Sequence, residues 1–75
     1  MNIARPLDGL DLLDKKRVSL DLKNRTTITG ILKDFDYNLH VLLEDAEEIT
    51  EEGTKKYGVM LIRGNTIICV HQVKV

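Results

Sequence analysis

The chain has 75 residues, 43% hydrophobic and 31% charged, with a net charge of −1. This describes one small domain of ordinary soluble composition, in which a polyanion could be attracted only by a local concentration of Lys and Arg. One cysteine, Cys69, excludes an intrachain disulfide. The widely spaced histidines and cysteine match no zinc spacing, and no run reaches transmembrane length or forms a signal-peptide core. The expectation is a cytoplasmic protein with no metal, no cofactor and no membrane partner. A single core of this size seldom supplies more than about 3–5 kcal/mol. Without a disulfide or metal, the remaining remedies are oligomerisation or a very well-packed monomer.

Met1 to Lys16 carries one helical pattern. Ile3, Leu7, Leu10 and Leu13 form a stripe at helical spacing, Pro6 suits the first turn, and Asp8 and Asp11 sit near the positive end of the dipole. A helix over about residues 5–14 is predicted, ended by the solvated cations Lys15-Lys16-Arg17. From Arg17 the period becomes two. Val18, Leu20 and Leu22 alternate with Ser19, Asp21 and Lys23 as a half-buried strand, and Asn24-Arg25 turns the chain. Thr26 to Phe35 is the second strand, with Ile28, Gly30 and Leu32 on one face. A glycine in mid-strand marks a sharp bend or a close backbone approach, and a small sheet that bends strongly makes a small barrel.

Asp36-Tyr37-Asn38 reads as a polar turn, and Leu39 to Ala46 as a third strand. Six carboxylates then fall between Glu44 and Glu52, at a strand end and loop where acids are ordinarily solvated. Thr54 to Ile62 and Thr66 to Val73 are the last strands, apolar on both faces. Tyr57, Val59 and Leu61 share one face, Met60 and Ile62 the other; Ile67 and Cys69 oppose Ile68 and Val70. Cys69 is expected as a small buried hydrophobe, and His71 as a surface histidine. Between these strands Gly64-Asn65 is a two-residue hairpin signal, because both residues tolerate positive φ, and it sets Arg63 at the tip. Five short strands leave two edges, and apolar edges invite pairing with another copy. Head-to-tail pairing of identical copies closes into a ring or runs on as a filament. A closed homo-oligomeric ring is expected.

The helix-then-strands layout and two stretches resemble the Sm and Sm-like (LSm) family, and within it the archaeal Sm-like proteins. Leu22-Lys23-Asn24 through Gly30 to Leu43 is similar to the family's first motif, and Leu61-Ile62-Arg63-Gly64-Asn65-Thr66-Ile67 to its second. Arg5-Pro6-Leu7-Asp8 resembles the opening of the family's helix, and Asp45-Ala46-Glu47-Glu48 the end of its third strand. The resemblance implies a mostly β fold: an N-terminal helix, then a strongly bent five-stranded antiparallel sheet forming a small SH3-like barrel. It implies a ring of six or seven copies, seven favoured, that binds uridine-rich single-stranded RNA at its central pore, with a role in RNA processing and ribonucleoprotein assembly.

Carried over position by position, the resemblance implies an RNA pocket of Asp36, Asn38, His40, Arg63, Gly64 and Asn65. It also suggests a second contact through Arg5, Pro6 and Phe35, for which the bare sequence favours ordinary packing of Pro6 and Phe35. The chain departs from the family at two positions. Asn38 stands where an aromatic or histidine usually stacks on the base, and His40 where an asparagine usually bonds its edge. If extended, residues 38 and 40 leave one face and Tyr37 the other, so the groups are retained in exchanged places. A ring that has lost base recognition and serves as a protein-interaction scaffold is the alternative, with the acidic stretch as its docking surface. No nucleophile–base pair or phosphate-cradling glycine loop points to an enzyme.

Overall fold

The alternating stretches after Arg17 form five strands in the computed structural model, which describes residues 12–73. They are β1 (Arg17–Leu22), β2 (Thr27–Phe35), β3 (Val41–Thr50), β4 (Gly53–Ile62) and β5 (Ile67–Gln72), with a 3-10 turn at Gly64–Thr66 before β5. All paired neighbours are antiparallel, in the order β4-β3-β2-β1-β5. Leu12 and Leu13 carry helical backbone and Asp14 is already in a turn; residues 5–11 of the helix expected over 5–14 lie outside the described residues.

The core follows the period-two pattern. Val18 and Leu20 from β1, Ile28 and Leu32 from β2, Val41, Leu43 and Ala46 from β3 and Ile62 from β4 are buried together. Leu13, Leu22, Phe35, Leu39, Met60, Ile67 and Val70 pack partly buried around them. Along β4 the expected faces separate: Ile62 points inward, while Val59 and Leu61 stay exposed.

The sheet bends because its ladders are interrupted. Register shifts fall between Thr29 and Ile31 and between Leu32 and Asp34 on β2, and between Asp21 and Leu22 on β1. Bulges of this kind bend a strand and increase its twist. At the first, Asp45 takes φ 51° opposite Gly30, and a Cβ on Gly30 would sit 3.0 Å from the Glu44 carbonyl oxygen. Gly30 therefore admits the close backbone approach expected of it.

The acidic stretch is mostly strand. β3 runs on to Thr50, beyond the expected end at Ala46, because β4 supplies partners of opposite charge: Glu47 faces Lys56 and Glu48 faces Lys55. The tight hairpin of the molecule is here, at Glu51-Glu52, closed by the Thr50–Gly53 pair with Gly53 at φ 138°. Arg17, expected as solvated, reaches Asp45 at 2.7 Å, in an exposed pair of little energetic weight.

Three expectations fail on sheet order. Gly64-Asn65 does not close a hairpin: β5 leaves β4 and pairs with β1, and neither residue has positive φ. Cys69 is exposed, because β5 is an edge strand and Cys69 lies on its outer side. The bulge facing Asp21–Leu22 also breaks the alternation of β5, so that Ile67 and Val70 both pack on the core while Ile68 and Cys69 are exposed.

A candidate nucleic-acid interface

The loop between β2 and β3 is built on Asp36. One of its carboxylate oxygens accepts the backbone N–H of Asn38 at 2.9 Å and of His40 at 3.0 Å. The Leu39 N–H donates to the Asp36 carbonyl at 3.0 Å, and the Asp36 N–H to the His40 carbonyl at 3.2 Å. A short acidic side chain that bonds the backbone ahead of it is a standard turn former. Here it holds Leu39 at φ 62°. Residues 38 to 40 are therefore not extended, and the common-face expectation for Asn38 and His40 fails with that premise. Asn38 is exposed and His40 half-buried, while Tyr37 is 89% exposed and takes no part in the core.

Arg63 leads into the second turn with extended backbone (φ −75°, ψ 134°). Its carbonyl accepts the Thr66 N–H at 3.1 Å and the Thr66 hydroxyl at 2.7 Å. The Thr66 carbonyl in turn accepts the Lys23 N–H at 2.9 Å, anchoring the turn beside the end of β1. Lys23 and Thr66 belong to the two motif stretches but are not among the expected pocket residues. A threonine three residues after Arg63, placed to bond back to its carbonyl, is the signal that marks Thr66.

The two turns are joined at one point. The Gly64 N–H donates to Nδ1 of His40 at 2.8 Å in a half-buried hydrogen bond. Gly64 is required by proximity: a Cβ there would lie 2.8 Å from the Leu39 carbonyl oxygen and closer still to that of Asn38. The backbone it admits is the chain's own first turn.

The structure thus brings the six predicted residues into two adjoining turns, Asp36, Asn38 and His40 on one side and Arg63, Gly64 and Asn65 on the other. Arg63 and Asn65 are exposed, and among the described residues the Arg63 guanidinium has no hydrogen-bond or ion-pair partner. The surface therefore offers a planar cation, amide groups on Asn38 and Asn65, and an exposed aromatic at Tyr37. Such groups suit unstacked bases and phosphates. Of the second predicted contact, Phe35 is packed against the core, and Arg5 and Pro6 lie outside the described residues.

Residues 8–72 match the family model of the LSM domain. A protein of Aeropyrum pernix described as an snRNP Sm-like protein is 38% identical over 61 residues, 81% of this chain and 78% of that protein. The SmAP1 heptamer of P. aerophilum superimposes with a TM-score of 0.89 at 34% identity, covering 99% of this chain and 100% of that one. The Sm protein of Pyrococcus abyssii, solved in complex with a uridine heptamer, superimposes with a TM-score of 0.86 at 34% identity, covering 92% and 99%.

Proposed function

Because the chain belongs to the LSM-domain family, we propose that seven copies close into a ring that binds uridine-rich single-stranded RNA around its central hole. The observation that carries this reading is the His40–Gly64 hydrogen bond, which holds the Asp36 loop and the Arg63 turn as one surface. The sheet supports the ring: β4 and β5 are its two unpaired edges, and they carry the exposed apolar residues Tyr57, Val59, Leu61 and Ile68. Joining β4 of one copy to β5 of the next covers that surface and uses the edge hydrogen bonds. The heptameric P. aerophilum structure and the uridine complex of the P. abyssii protein support the copy number and the ligand.

Each pocket holds a base weakly, because stacking alone is worth about 1–3 kcal/mol and tolerates any base. Selection for uridine then falls to hydrogen bonds at the base edge, where an unmatched partner leaves a polar group unsatisfied. Repetition around the ring lets successive nucleotides of one strand occupy neighbouring pockets and multiplies affinity through effective concentration. The same repetition gathers one Arg63 per copy, giving local positive potential in a chain whose net charge is −1. The family resemblance adds Arg5 and Phe35 as a second contact for RNA. The cellular role that follows is in RNA processing and ribonucleoprotein assembly, without catalysis.

Fluorescence anisotropy with short oligo-U and oligo-A tests the reading, alongside a solution mass. Oligo-U binds more tightly than oligo-A, and Arg63→Ala lowers affinity by more than about ten-fold, equivalent to about 1.4 kcal/mol in the binding free energy of the strand. Identical titrations for the two oligonucleotides, or a stable monomer, would count against it.

A further inference from the structure

The single cysteine and the second histidine stand two residues apart on β5, and β1 lays Asp21 directly opposite Cys69. Side chains two apart on a strand leave the same face, so Asp21, Cys69 and His71 share the outer surface where β5 meets β1. One ligand atom from each (a carboxylate oxygen, the sulfur and an imidazole nitrogen) lies within 4.8 Å of the other two. The Asp21 carboxylate is oriented from behind, since the Thr27 hydroxyl on β2 donates to its Oδ1 at 3.3 Å. Metal-binding carboxylates are commonly steadied by such an outer partner. Cys69 and His71 are exposed and Asp21 is half-buried, so a hydrated ion has access.

The donor set selects the ion. Thiolate with imidazole favours zinc and other borderline or soft cations and disfavours magnesium or calcium, which take oxygen ligands. A tetrahedral zinc ion holds its ligand atoms about 3.5 Å apart, so side-chain adjustments of about 1 Å bring these three into place. We propose that Asp21, Cys69 and His71 form a zinc-type site, one ion per chain, with water at the fourth position. Cys69 enters as the thiolate and releases its proton to solvent. The ion links the edge strand β5 to β1 and so supplies the staple that a small core otherwise lacks. The sequence expectation of no metal rested on spacing along the chain, whereas Asp21 reaches the other two only through strand pairing. The site shares no residue with the pocket of Asp36, Asn38, His40, Arg63, Gly64 and Asn65, although it lies on β5, the strand that the ring reading pairs with a neighbour's β4.

Cobalt titration of the chelator-treated, intact protein tests the proposal. The expected result is a thiolate-to-cobalt charge-transfer band with visible bands of tetrahedral intensity, saturating at one ion per chain. Zinc displaces cobalt; magnesium does not. Cys69→Ser abolishes the charge-transfer band, and His71→Ala and Asp21→Asn each lower affinity by at least the ~10-fold that loss of an outer-shell partner costs. Zinc raises the thermal midpoint of the natural chain and leaves that of Cys69→Ser unchanged. Absence of the thiolate band in the natural chain overturns the proposal, as does a cobalt affinity unaltered in both His71→Ala and Asp21→Asn.

Discussion

The two turns that meet at the His40–Gly64 bond are held in opposite ways. The 36–40 turn is wired from within: Asp36 bonds Asn38 and His40, and the backbone closes on itself between Asp36 and His40. The 63–66 turn has its own Thr66–Arg63 bonds, but its position is set from outside, by His40 on one side and Lys23 on the other. A turn wired from within keeps its own geometry unless its organising residue is changed or a neighbour is forced into its backbone. A turn placed from without can be displaced by changing a neighbour, with its local geometry intact.

Substitutions can break this contrast, and the largest effect is expected at the contact itself. Gly64→Ala drives a methyl into the Asn38 and Leu39 carbonyls, an overpacking worth about 1–3 kcal/mol or more because the obstacle is backbone. It should lower the thermal midpoint at fixed protein concentration and abolish RNA binding together. Asp36→Ala comes next: two exposed N–H groups lose one acceptor, a net cost of about 0.5–1.5 kcal/mol for each bond, and Asp36→Asn, which keeps a carbonyl acceptor, should recover most of it. A midpoint unchanged in Asp36→Ala would show that the first turn is not internally wired. His40→Ala removes one half-buried bond, about 1 kcal/mol of stability. It leaves the 36–40 turn formed and lets the 63–66 turn drift. Its oligo-U affinity should fall further than that of Tyr37→Ala. Tyr37, 89% exposed, is expected to change stability by less than about 0.5 kcal/mol. Equal losses of affinity for the two variants would place base recognition elsewhere in the loop.

What the sequence made legible follows the same division. The strands announce themselves by period two, and the Asp36 turn by a side chain acting on residues two and four ahead, all within a few positions. The β4–β5 connection is set at long range. Gly64-Asn65 has the composition of a hairpin, yet β5 finds its partner in β1, and no residue near the turn records that choice. The bulge facing Asp21–Leu22 is likewise a property of the ladder, and it turns both Ile67 and Val70 inward. The expectation for Cys69 fails for the same reason: whether a small apolar residue is buried depends on what covers its strand, and β5 lies at the edge. That Asp36, Asn38 and His40 lie beside Arg63, Gly64 and Asn65 follows from two motifs taken together, and the Gly64–His40 bond is where they meet. The face-sharing of Asn38 and His40 does not follow, because it assumed extended backbone where Leu39 has φ 62°.

The bond between Gly64 and His40 also settles which tautomer the imidazole adopts. With Nδ1 engaged as an acceptor, the proton of the neutral ring must reside on Nε2. That nitrogen has no partner among the described residues, so the side chain offers a donor and no lone pair to anything that approaches it. In the proposed RNA pocket such a group answers a carbonyl oxygen or a ring nitrogen and not an exocyclic amine, so a histidine there gives up the paired donor and acceptor that an amide would offer.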